Sequence, residues 1–114
     1  MKILDNIKLA DNERKSIVEA VRRLKTDLPI SRVILFGSKA RETAHSDSDI
    51  DLLVLTNCLV TSRLRADVSD RIAQINLEND ADLSSIVVSE QDWDGGLLKY
   101  TLIHSEIERD GCEI

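Results

Sequence analysis

For a chain of 114 residues and 12.8 kDa, 42% hydrophobic with one Pro and four Gly, a single domain over residues 1–114 is expected, without a second, substrate-enclosing one. A formal net charge of -6 and a pI of about 4.8 oppose any broad polyanion-binding surface, so an extended nucleic-acid surface is excluded. The N-terminal stretch MKILDNIKLADNERK is too polar for a signal peptide and no apolar run approaches membrane-spanning length, so a soluble, cytoplasmic protein without a membrane partner is expected.

In chain order, the first element is a helix over residues 11–28. Ile17, Val21, Leu24 and Leu28 recur at helical spacing, Asp11 or Asn12 is placed to cap it, and Glu13 adds negative charge to its first turn. Pro29 stops the helix and forces an extended entry into a strand over residues 31–36, ending in the apolar run Val33, Ile34, Leu35 and Phe36. A polar connector follows, and a second buried strand runs over residues 50–55. An amphipathic helix is expected over residues 60–78, with Leu64, Val68, Ile72 and Ile75 as its buried stripe, then a third strand over residues 81–88. The tail reads as a helix start near Ser89, a break at Gly95 and Gly96, and a helix through Leu98, Leu102, Ile103 and Ile107 that Gly111 ends. The architecture expected is α/β: a small mixed β-sheet with helices packed mainly on one face.

The connector and the second strand carry the chemistry. Asp47, Asp49 and Asp51 are spaced by two, and the strand period puts Asp49 and Asp51 on one face with Cα atoms roughly 6.5 to 7 Å apart. Two adjacent carboxylates repel unless a cation lies between them, and Mg²⁺ favours a few carboxylates together with phosphate oxygens. Gly37, directly after the first strand, lets backbone N–H groups turn toward an anion; Ser38 adds a hydroxyl, and Lys39 and Arg41 add positive charge. Asp82, at the start of the third strand, completes a three-carboxylate site if that strand lies beside the second; otherwise it is a solvated strand-entry residue.

Other readings of these residues are weaker. An EF-hand loop counted from Asp47 would need Gly at Leu52 and Glu at Cys58, and a Walker A loop is absent. A solvated acidic turn does not explain an acid at Asp51, inside an apolar strand. Cys58 and Cys112 match no metal-ligand spacing and are expected as free thiols, and His45 and His104 read as lone histidines. Leu97, Tyr100 and Trp93 are candidates either for core packing or for a partner interface.

Gly37-Ser38 followed by Ser48-Asp49-Ile50-Asp51-Leu52 resembles the G-S-x(n)-D-x-D signature of the DNA polymerase β-like nucleotidyltransferases, and at this chain length most of all the minimal nucleotidyltransferases. Glu42 departs from the pattern, which often has a small residue such as Gly there. The resemblance implies a nucleotidyltransferase fold and Mg²⁺-dependent transfer of AMP from ATP. Asp49, Asp51 and Asp82 would be the catalytic and metal-binding acids, and Gly37, Ser38, Lys39 and Arg41 the nucleotide-binding residues. It implies as partner a HEPN-domain toxin, modified on a hydroxyl such as that of tyrosine, with this chain as antitoxin in a hetero-oligomer. The alternative is a non-catalytic antitoxin that inhibits by complex formation.

Overall fold

The computed structural model describes residues 2–42 and 49–114; His45, Asp47 and Ser48 lie outside the described residues. A 3₁₀ turn at Leu4–Asn6 precedes helix α1 (Asp11–Asp27), strand β1 (Ile30–Phe36), the one-turn helix α2 (Ser38–Arg41) and strand β2 (Ile50–Thr56). Helix α3 (Ser62–Asn79), strand β3 (Leu83–Ser89) and the short helix α4 (Glu90–Gly95) follow. A 3₁₀ turn at Leu97–Tyr100, helix α5 (Leu102–Asp110) and strand β4 (Cys112–Glu113) complete the order. The sheet runs β3-β2-β1-β4, with β1 antiparallel to both β2 and β4 and β2 parallel to β3, so it is mixed, as expected.

Local chemistry explains the boundaries. Glu13 Oε1 accepts from the Ala10 N–H at 2.9 Å, so Glu13, not a cap at Asp11 or Asn12, satisfies the start of α1. Leu28, the residue before Pro29, is already extended and ends the helix. Thr61 caps α3 by accepting from the Leu64 N–H at 3.1 Å, and Asp80 leaves that helix in the left-handed region. Strand β4 is the element that periodicity does not reveal. Its two residues pair with Ile34 and Leu35 on the free edge of β1, and two residues are too few to display an alternation.

The two faces of the sheet are covered unequally. Val33, Leu35, Ile50, Leu52, Val54, Leu83 and Val87 point to the face that α1 and α3 cover, where Ile17, Ala20, Leu24, Leu64, Val68, Ile72 and Ile75 complete the main core. On the opposite face a smaller cluster of Ile34, Leu53, Leu55, Trp93 and Ile107 seats α4 and α5. Of the two readings, core packing holds for Trp93, 2% exposed, and fails for Leu97 and Tyr100, which are 87% and 81% exposed. Both cysteines are free, Cys58 exposed and Cys112 buried, and burial pushes the Cys112 thiol up. Among the described residues no helix is long and apolar enough to cross a membrane.

Candidate active site at the open end of the sheet

Alternation along β2 sends Leu53 and Leu55 under Trp93, and by the same period sends Asp51 and Asp49 to that face beyond the cover of α4 and α5. Asp51 pairs with Phe36 on β1 and with Ser84 on β3, and Ser84 Oγ donates to Asp51 Oδ1 at 2.9 Å. Asp51 is half-buried and Asp49 exposed at the strand mouth. Ile50 pairs with Leu83 in parallel register and the Ile50 N–H donates to the Asp82 carbonyl at 2.9 Å. Extended by one residue, that register sets Asp82 opposite Asp49, and opposite residues of parallel strands share a face. The three acids lie at one end of one sheet face.

Gly37 sits directly against Asp51. Its φ of 77° and ψ of -158° belong to a region that only glycine populates, and a Cβ built there would meet Asp51 Oδ2 at 2.4 Å. The missing side chain thus leaves space between the Asp51 carboxylate and the first turn of α2, which begins at Ser38. By donor type, carboxylate oxygens on one face with such a cradle beside them suit a hard divalent cation, although among the described residues the three carboxylates do not converge within 4.8 Å of one another. A cavity of about 180 Å³ behind Asp82, lined by Asn12, Glu13, Ile50 and Asp80 among others, is too small for a whole nucleotide.

The candidate nucleotide-binding cations occupy different settings. Lys39 is not a surface residue: it is buried, and its Nζ pairs with Glu13 Oε2 at 2.8 Å, tying α2 to the start of α1. Burial alone would raise the Glu13 carboxyl, but Lys39 and the Ala10 N–H together hold it below its ordinary value of 4.5. Arg41 is exposed at the end of α2, and with Lys2 it adds to the larger effect of Arg109 in holding the Asp110 carboxyl low. Glu42, the departure noted above, adopts φ 60° in the left-handed region, where Gly is favoured, and its Oε1 accepts from the Lys8 N–H at 3.0 Å.

Two contributors escape the sequence reading. Ser84, which orients Asp51, stands two residues after Asp82 and so shares its face, a signal the strand period offered. Glu13 reaches α2 only through the fold, and no spacing announces it. His104 is not isolated either, since it stands between Asp94 and Glu108.

Comparison with known proteins points the same way. The family described as "Polymerase beta, Nucleotidyltransferase" matches residues 18–108. A provisionally named protein adenylyltransferase of Methanocaldococcus jannaschii, MJ0141, is 28% identical over 104 residues, covering 86% of this chain and 98% of that protein. A crystal structure of a provisionally named nucleotidyltransferase from Sulfolobus solfataricus aligns with TM-score 0.55 and 25% identity, over 70% of this chain and 69% of that one. The fold also occurs in a crystal structure of a toxin-antitoxin with AMP-PNP, with TM-score 0.58 and 18% identity over 91% of this chain and 72% of that one.

Proposed function

The chain belongs to the polymerase beta nucleotidyltransferase family, matched over residues 18–108, and from that premise we propose that it transfers AMP from ATP, with Mg²⁺, to a tyrosine hydroxyl of a HEPN-domain toxin and so acts as the toxin's antitoxin in the cytoplasm. The observation that carries the reading is the placement of Asp51 and Asp49 on the end of a sheet face beyond α4 and α5, with the Gly37 turn against Asp51. The naming of the Methanocaldococcus jannaschii relative supports a protein acceptor, and the toxin-antitoxin neighbour with AMP-PNP supports an adenine nucleotide. The HEPN partner rests on the resemblance of the Gly37-Ser38 and Asp49-Ile50-Asp51 motifs to the minimal nucleotidyltransferases.

In this mechanism Asp49, Asp51 and Asp82 hold one or two Mg²⁺ ions, which when bound supply positive charge to the reacting phosphates. Ser84 fixes the Asp51 carboxylate by its hydrogen bond. The Gly37 backbone and Ser38 hold the β- and γ-phosphates at the start of α2. Asp82 takes the proton of the acceptor hydroxyl as its oxygen attacks the α-phosphorus; the bond to the bridging oxygen breaks, and pyrophosphate leaves. Arg41, exposed beside this turn, meets the charge of the leaving group, and Lys39 adds charge from behind α2 while anchoring it to Glu13.

A second reading, inhibition by complex formation alone, is favoured by the exposed apolar run of Leu97, Tyr100 and Leu102, the last 73% exposed. One experiment separates the two. The HEPN-domain partner is incubated with this chain, Mg²⁺ and each nucleoside triphosphate in turn, and its intact mass is measured. Transfer predicts a gain of one or more AMP units with ATP that disappears with Asp49→Asn. A stable complex with no mass gain from any nucleotide would reject the catalytic reading and leave occlusion.

A further inference from the structure

A second group of metal-ligating side chains lies away from the β2 acids, where α4 meets α5. Asp94 of α4 and His104 and Glu108 of α5 each present one ligand atom, and the three atoms lie within 4.8 Å of one another. His104 and Glu108 are four residues apart on α5 and share one face of it. Among the described residues His104 Nε2 is buried with no hydrogen-bond partner; the Glu108 carboxylate stands 4.0 Å away, beyond hydrogen-bonding distance. A buried ring nitrogen left without a partner is costly, and a cation between it and the two carboxylates would remove that cost.

The surroundings hold the ligands in place. Trp93, seated in the sheet-face core, packs its ring against His104 with centroids 4.4 Å apart. Its Nε1 also donates to Glu108 Oε1 at 3.4 Å, so one indole orients two of the three ligands from outside, as partners of metal ligands do. We propose that Asp94, His104 and Glu108 form a site for a divalent transition cation of the Zn²⁺ class, distinct from the β2 acids. One imidazole and two carboxylates, with a fourth position for water, suit such an ion and not Mg²⁺, which prefers oxygen throughout. Zn²⁺ bonds of about 2.0–2.1 Å bring ligand atoms roughly 3.3 Å apart, so the site tightens on binding. The exposed Asp94 and Glu108 side chains make that movement while the His104 ring stays against Trp93. A bound ion would tie α4 to α5 and fix the Leu97–Tyr100 turn between them.

Trp93 is the chain's single tryptophan, so its emission reports directly on this site. The test is a titration of Zn²⁺ alone into the full chain carrying Asp49→Asn and Asp51→Asn, which lessens competition from the β2 acids. Emission is followed together with calorimetric stoichiometry. The expected result is a saturable emission change at one ion per chain, with affinity at least about tenfold weaker on adding His104→Gln or the surface change Asp94→Asn. Unchanged Trp93 emission, or equal Zn²⁺ affinity in a folded Asp94→Asn chain, overturns the proposal. Neither readout depends on nucleotide transfer, so the site and the transferase reading fail or stand separately.

Discussion

The two halves of one sheet face make an instructive contrast. Toward the C-terminal end of β2, Leu53 and Leu55 are sealed under Trp93 and Ile107; toward its beginning, the same alternation presents Asp51 and Asp49 beyond the cover of α4 and α5. The residues differ only in register, two positions at a time, yet one half is core and the other a candidate reaction site. A strand locked by packing at one end, and on its reverse face by α1 and α3, holds the backbone of its polar end without any contact to the carboxylates themselves. Asp51 sits at the boundary, half-buried, between the Ser84 hydroxyl and the Gly37 turn.

If the sealed half is what holds the open half, removing its centre should cost most. Trp93→Ala takes away the largest buried side chain of the smaller cluster, with an expected loss of about 3–5 kcal/mol in urea unfolding. A loss below about 1 kcal/mol would mean that α4 and α5 contribute little to the fold. Within the open half, Asp51→Asn keeps the shape and removes the charge. We expect the fold to survive and AMP transfer to drop by more than about 100-fold, beyond what loss of an outer-shell partner costs. Wild-type transfer rates from this variant would remove Asp51 from the reaction.

Gly37→Ala probes the boundary between the halves. Alanine at φ 77° carries backbone strain of about 1–3 kcal/mol, and its methyl group displaces Asp51 Oδ2, so stability and transfer should both fall. A chain as stable as the parent would show that the turn relaxes away from Asp51. Acid should act on the other side of this turn. The Glu13 carboxyl is held below 4.5 in the folded chain, so its contribution is complete above the unfolded value and is lost as pH falls through the lower folded one. Unfolding followed from pH 6 downward should show a decline below about pH 4.5 that is shallower in Glu13→Gln.

These contrasts also mark what the sequence made legible. The face shared by Asp49 and Asp51 follows from a period of two, which needs no tertiary information. The stripe of Leu64, Val68, Ile72 and Ile75 follows in the same way from the helical period of 3.6, and all four are buried. Trp93 was ambiguous because a single aromatic beside two glycines has no periodic neighbours to assign its face, and its burial is decided by α5 folding back over it. Lys39 read only as positive charge near the phosphate turn because its partner, Glu13, lies a helix and a strand earlier in the chain. Glu42 looked like a departure from a family pattern that favours a small residue; its left-handed backbone supplies the reason for that preference, and the Lys8 N–H contact offsets part of the strain.

The smallest effect is expected at Ser84, and it tests the boundary most finely. Its hydroxyl touches Asp51 Oδ1 from an exposed position on the edge strand, so deleting it removes one hydrogen bond and no packing. Ser84→Ala should leave unfolding within about 0.5 kcal/mol of the parent, as surface changes usually do. If Ser84 orients the carboxylate for the ion it helps to hold, transfer should fall about tenfold, with a matching rise in the Mg²⁺ concentration needed for half-maximal rate. Ser84→Thr keeps the hydroxyl and should recover most of the loss. An equal fall in rate with no change in Mg²⁺ dependence would place Ser84 on the nucleotide or acceptor instead. No fall at all would mean that Asp51 is held by its strand neighbours alone, and the open half of the face would then owe its geometry wholly to the sealed one.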